Sequence, residues 1–158
     1  MATYKLFIEG YWADQNKNGL PKYSGIYFVY RCVYNPTLNH IDIKELIYIG
    51  KTEQEKGINS RIANHEKRDQ FLRSCHEGET ICYACAQLEE DDLAIVENAF
   101  VYAEQPPLND KLKDHFNYGN VMINTTGYND NLKHSYFCIK NDEIGDVELI
   151  TNNLGQFW

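Results

Sequence analysis

Residues 24–34, Ser-Gly-Ile-Tyr-Phe-Val-Tyr-Arg-Cys-Val-Tyr, constrain this chain more than any other stretch, because they are dense in β-branched and aromatic side chains. Such a run reads as a strand. Asn35-Pro36-Thr37 breaks it, and Glu45-Leu46-Ile47-Tyr48-Ile49-Gly50 follows as a second strand. The pair predicts a hairpin with a long connection, its polar tip lying around Val33 to Lys44. An apolar opening segment, residues 4–12, runs into a polar turn at residues 14–19. A helix is predicted from Asn59 or Ser60, both good N-cap residues, through Arg61, Ile62, His65 and Arg68 toward Leu72. Residues 80–86 read as another strand. Asp91 and Asp92 suit the cap of a second helix, Leu93 to about Glu104, which Pro106-Pro107 terminates. Ser135 to Lys140 and Val147 to Ile150, around a turn at Glu143-Ile144-Gly145-Asp146, predict a late hairpin.

This order predicts one α/β (α+β) domain over residues 1–158, built on a small sheet. A length of 158 residues allows one real core and no comfortable second one. No stretch approaches the roughly 20 apolar residues that cross a bilayer, so no membrane partner is expected. The N-terminus lacks a secretion signal and the five cysteines are odd in number, which together predict a reduced, cytoplasmic setting. The net charge of −8 argues against unaided, tight nucleic-acid binding. Its distribution is uneven. From Lys51 to Arg73 there are six basic residues against four acidic ones, whereas every charge from Glu89 to Glu104 is negative.

Chemistry-bearing residues recur in a fixed order along these elements. Gly25-Ile26-Tyr27 lies on the first hairpin strand, and Tyr48-Ile49-Gly50 ends the second with Lys51 directly after it. Arg61 and His65 lie on the next helix, Glu97 on the later one, and Pro107-Leu108-Asn109 just beyond. This set resembles the GIY-YIG nuclease family, and the resemblance covers about residues 24–109. It implies a small, mainly antiparallel sheet flanked by helices, with the N-terminal segment and residues 110–158 as additions to the core. It also implies endonuclease action on nucleic acid, with DNA the expected substrate and Mg²⁺ or Mn²⁺ the cofactor. By the same resemblance Tyr27 is the general base, Glu97 the metal ligand and Arg61 the transition-state clamp. Tyr48, Lys51 and His65 support them, and Asn109 holds the site together.

These residue types suit phosphodiester hydrolysis, which needs a base for water, positive charge on the phosphate and stabilisation of the leaving oxygen. One carboxylate can hold a Mg²⁺ that keeps most of its waters. A guanidinium can bridge two phosphate oxygens, and a histidine can exchange a proton near neutrality or anchor a neighbour. On one helix, Arg61 and His65 would share a face at i, i+4, with Arg68 continuing the stripe. A phenol is a poor base at neutral pH, so Lys51, Arg61 or a metal would have to lower its pKa. The chain departs from the family in its spacing: 20 residues separate Tyr27 and Tyr48, where the family has roughly ten.

Simpler readings stand beside these. From the helix alone, Glu90, Glu97 and Glu104 form a solvated stripe at seven-residue spacing. Tyr27 and Tyr48 could be packing aromatics, and Arg61 and His65 an exposed pair. Cys82-x-x-Cys85 suggests zinc, but side chains three apart on a strand point to opposite faces, which favours core cysteines. The alternative function is an interaction module on the same fold that is catalytically silent, or one that cuts only when a protein partner delivers the nucleic acid. Tyr118, Tyr128 and Tyr136 are candidates for base stacking in the later segment.

Overall fold

The computed structural model describes residues 1–53, 55–142 and 146–151. Seven strands form one mainly antiparallel sheet: β1 (Ala2–Ala13), β2 (Gly25–Asn35), β3 (His40–Thr52), β4 (Thr80–Gln87), β5 (Val121–Gly127), β6 (Tyr136–Asn141) and β7 (Val147–Ile150). Their order is β3-β2-β4-β1-β5-β6-β7, and β1–β5 is the parallel pair. Helices α1 (Gly57–Ala63), α2 (Arg68–Arg73) and α3 (Leu93–Glu104) pack around it.

Period-two alternation divides the core between the two faces of β2 and β4. Phe28, Tyr30, Cys82, Ala84 and Ala86 face α3 with its Val96 and Phe100. Tyr27, Val29, Ile81, Tyr83 and Cys85 face Ile58, Ile62 and Phe71 of α1 and α2. Burial on both faces explains why residues 81–86 are apolar without alternation. Cys82 and Cys85 therefore lie in different core clusters, as strand geometry predicts, and all five cysteines are free. Among the described residues no helix is long and apolar enough to cross a membrane.

Five expectations are corrected. The hairpin connection is not a long loop: β2 and β3 pair as far as Asn35 and His40, and the extra residues lengthen a two-stranded ribbon. The N-terminal segment is not an addition, because β1 sits mid-sheet between β4 and β5. β4, buried on both faces, has unpaired backbone groups on the side away from β2, and β1 satisfies them. The single helix toward Leu72 is two helices. Asn64 closes α1, its side chain donating to the Ser60 carbonyl at 3.0 Å. Asn59 does not cap; its Nδ2 donates to the carbonyls of Asn18 and Leu20, tying α1 to the turn after β1. Arg68 leaves the supposed Arg61 stripe altogether. Its guanidinium forks onto Asp14 at 2.6 and 2.5 Å, and Tyr83 Oη donates to the same carboxylate at 2.6 Å.

The late hairpin forms as expected, with β6 and β7 antiparallel. The predicted turn at residues 143–145 lies outside the described residues. Asp92 occupies the N-cap position of α3 but makes no side-chain capping bond.

Candidate active site

Strand register puts the two tripeptides against each other. Tyr27 pairs with Gly50 and Gly25 with Thr52. A Cβ on Gly50 would lie 2.3 Å from both Cζ and Oη of Tyr27, so only glycine leaves room for that ring. A Cβ on Gly25 would meet the Ala86 carbonyl oxygen at 2.0 Å, where β4 approaches. Both glycines are thus steric conditions for the hairpin to seat Tyr27 under α1 and α2.

Four rings surround the site. Tyr27 and Tyr48 stand 6.2 Å apart, and the His65 ring meets them edge-on at 5.6 and 5.4 Å. Phe71 backs the cluster, 5.1 Å from Tyr48 and 4.9 Å from His65. Phe71 went unremarked in the sequence, where it is one more apolar helix residue. Lys67 Nζ lies 5.3 Å from the Tyr48 ring centroid.

His65 is not on a helix; it occupies the break between α1 and α2. Its Nδ1 accepts the Lys67 backbone N–H at 3.1 Å. A neutral ring must then carry its proton on Nε2, which lies 2.8 Å from Tyr27 Oη. Burial, and then Arg61 and Lys67, push the His65 pKa down to about 4, so the ring is neutral near pH 7. The imidazole therefore donates to the phenol oxygen, the direction that favours a phenolate. Against this, burial pushes the Tyr27 pKa well above the ordinary tyrosine value, aided by Tyr48 and opposed by Arg61. Glu97 and Glu66 also raise it.

Arg61, near the end of α1, forks onto Glu66 at 2.5 and 2.9 Å. Glu97 is not the solvated residue that its helix suggests. Burial raises its pKa to about 7, against the pull of Lys51, Arg61 and the Lys51 backbone N–H. Glu97 is half-buried, and Glu104 is fully buried, receiving the backbone N–H groups of Lys133 and His134. Helix α3 buries residues on nearly every side, among them Leu93, Val96, Asn98, Phe100 and Val101, because β2 and β3 lie under it and Phe137 of β6 meets Phe100. A surface-helix stripe was therefore the wrong frame for Glu97.

Asn109 is a backbone splint. Its Oδ1 accepts the Ile49 N–H at 3.0 Å and its Nδ2 donates to the Ile49 carbonyl at 2.9 Å. With Leu108 N–H on the Ile47 carbonyl at 3.0 Å, residues 108–109 cover the free edge of β3 beside Tyr48 and Gly50. Asn109→Ala should cost about 2–4 kcal/mol by orphaning a buried donor and acceptor. Asn109→Asp, which keeps the acceptor but sets a carboxylate oxygen against the Ile49 carbonyl in a buried place, should cost at least as much. Urea denaturation of the three proteins checks the order.

Two adjoining cavities share Glu66. One, of about 610 Å³, is lined by Lys51, Thr52, Lys56, Ser60 and Arg61 among others. The second, of about 500 Å³, is lined by Tyr48, Lys67, Glu97, Asn109 and Lys111 among others. Tyr27 is buried beneath, between Tyr48 and His65. Residues from five separate segments thus converge on one cleft. Among the described residues no group of three His, Cys, Asp or Glu side chains could hold a metal. Glu97 suits only a cation content with one carboxylate and water, which is the habit of Mg²⁺. No family model matches the chain, and no match is found among curated proteins or solved structures.

Proposed function

We propose that this chain is a metal-dependent endonuclease of GIY-YIG type that hydrolyses phosphodiester bonds in nucleic acid, with DNA the expected substrate. The finer fold assignment is part of the same proposal. The observation that carries it is the contact of Tyr27 Oη with a neutral His65 beside Tyr48, in a cleft that also holds Arg61, Lys51 and Glu97.

In this reading Arg61 holds two non-bridging phosphate oxygens, and Lys51 adds positive charge alongside. Tyr27 as phenolate takes a proton from the attacking water while the water oxygen bonds to phosphorus and the bond to the leaving oxygen breaks, and that oxygen takes a proton from solvent. His65 Nε2–H steadies the phenolate, and Asn109 fixes the strand that carries Tyr48. A Mg²⁺ or Mn²⁺ on Glu97 would supply positive charge for the phosphate, neutralise the half-buried carboxylate and offset its upward push on Tyr27.

The test is a panel of single strands, duplexes, flaps and junctions incubated with Mg²⁺ or Mn²⁺. Cleavage should stop with chelator and fall about a hundredfold or more in Tyr27→Phe, in which the proton acceptor is gone. Because Tyr27 is protonated at neutrality, the rate should climb about tenfold per pH unit between roughly pH 6 and 9. A flat profile, or an active Tyr27→Phe, removes the tyrosine base. A second reading, the silent or partner-delivered module, is favoured by the net charge of −8 and by an Arg61 fork already filled from within the chain. It predicts no cleavage of any substrate by the folded, metal-supplied protein alone.

A further inference from the structure

Arg61 makes two parallel hydrogen bonds with the Glu66 carboxylate, the same geometry in which a guanidinium takes two oxygens of a phosphate. The Glu66 side chain is 63% exposed and that of Arg61 24%, so the carboxylate can leave into water while the guanidinium stays seated. Glu66 also lines both cavities and divides them. On one side lie Lys51 and Lys56, opposed by Glu53; Thr52 in that wall is nearly fully buried, with its hydroxyl unpaired among the described residues. On the other lie Lys67 and Lys111, opposed by Glu97 and Asp110.

We propose that the cleft is a track for two successive phosphates of one nucleic-acid strand. The first sits in the Arg61 fork, where Glu66 stands in for it, and the second in the cavity of Lys51 and Lys56. The proposal rests on the nuclease reading above and adds the placeholder and the second phosphate site. A strand that displaces Glu66 opens the two cavities into one another. Its neighbouring phosphate then gains the lysines, which Glu66 does not reach through the Arg61 fork. The internal carboxylate lowers every affinity at the fork by the fraction of time it occupies Arg61. For a pair whose carboxylate is mostly in water that factor is modest, about fivefold.

The experiment measures anisotropy of a fluorescein-labelled hairpin DNA bearing a single-stranded flap, with chelator present so that nothing is cut. Glu66→Gln, which keeps size and loses charge, should bind about fivefold more tightly than the parent. Arg61→Ala should bind about tenfold or more weakly, and adding Glu66→Gln to it should change nothing. Lys56→Ala should lower the slope of log affinity against log salt by about one. Circular dichroism melts confirm that each variant folds. If Glu66→Gln binds equally or more weakly while Arg61→Ala still weakens binding, the placeholder is refuted and the nuclease reading stands. An unchanged salt slope in Lys56→Ala removes the second phosphate. Parental affinity in Arg61→Ala, or no binding by any variant, overturns the track and the nuclease reading together.

Discussion

Glu97→Gln should abolish cleavage and, in the absence of divalent metal, raise the melting temperature at pH 8. Burial lifts the Glu97 pKa to about 7, above the ordinary carboxylate value of 4.5 that the unfolded chain keeps. Below pH 4.5 the acid is protonated in both states and costs nothing. As pH rises through 7 the folded state gives up a proton it held more tightly than the unfolded state did, so stability falls across this window. Discounted for the part of the group in water, the loss by pH 8 is about 1–2 kcal/mol, roughly 3–6 °C for a chain of this size. Glutamine removes the charge and with it this slope. Burial also raises the Glu104 pKa to about 7, which adds a slope of the same sign to both proteins, so the diagnostic quantity is the difference between their melting curves. Millimolar Mg²⁺ or Mn²⁺ should stabilise the parent and leave Glu97→Gln unmoved. Cleavage should fall about a thousandfold or more, since a metal-held phosphate is worth several kcal/mol. An active site often keeps such a destabilising group because function uses it. If glutamine instead lowers the melting point at pH 8 and metal shifts neither protein, then Lys51 and Arg61 already satisfy Glu97, and it binds no cation.

What the chain order conveyed well was whatever depends on local period. The β2 and β3 segments, the opposite faces of Cys82 and Cys85, the end of α3 at Pro106 and the late hairpin all follow from strand alternation or backbone restriction within a few residues. What it concealed depends on partners far along the chain. The helix break at His65 exists because the Lys67 N–H turns back onto the ring while that ring docks on Tyr27, 38 residues earlier. An unbroken helical pattern cannot reveal that. The central place of β1 depends on β4 and β5, and β5 itself, Val-Met-Ile-Asn-Thr-Thr-Gly, is too short and too polar at its end to announce a strand. Helix periodicity taken alone misplaces Glu97 and Glu104 for one reason: seven-residue spacing gives a helical face, but not whether protein or water lies against it. Glu66 carried no signal at all, because its importance is the fork it fills. The candidate site was legible as a set of residue types in order. Its internal electrostatics were not.

Gly50→Ala should damage both stability and activity, because a single added methyl group strikes the proposed base. The new Cβ would fall 2.3 Å from Cζ and Oη of Tyr27 and 2.9 Å from Cε1, on a ring that is 1% exposed and held against His65. Neither side yields cheaply. The glycine lies within β3, with Asn109 bonded to the adjacent Ile49 backbone, and the ring is buried among Tyr48 and His65. Overpacking of this kind costs about 1–3 kcal/mol, read by urea denaturation, and the upper end is expected here. A shift of roughly 1 Å in the proposed base should also cost about a hundredfold in rate. A companion variant separates geometry from chemistry. Tyr27→Phe keeps the ring, so it should lose activity with little change in fold, and it should not relieve Gly50→Ala because Cζ is struck as hard as Oη. Tyr27→Ala removes the obstacle, so in the double variant the stability losses should add to less than their sum by about 1–3 kcal/mol, the coupling of residues in direct contact. Additive losses would mean that the ring swings away freely. A ring so loose could not be held at the attacking water, and the tyrosine base would fall with it.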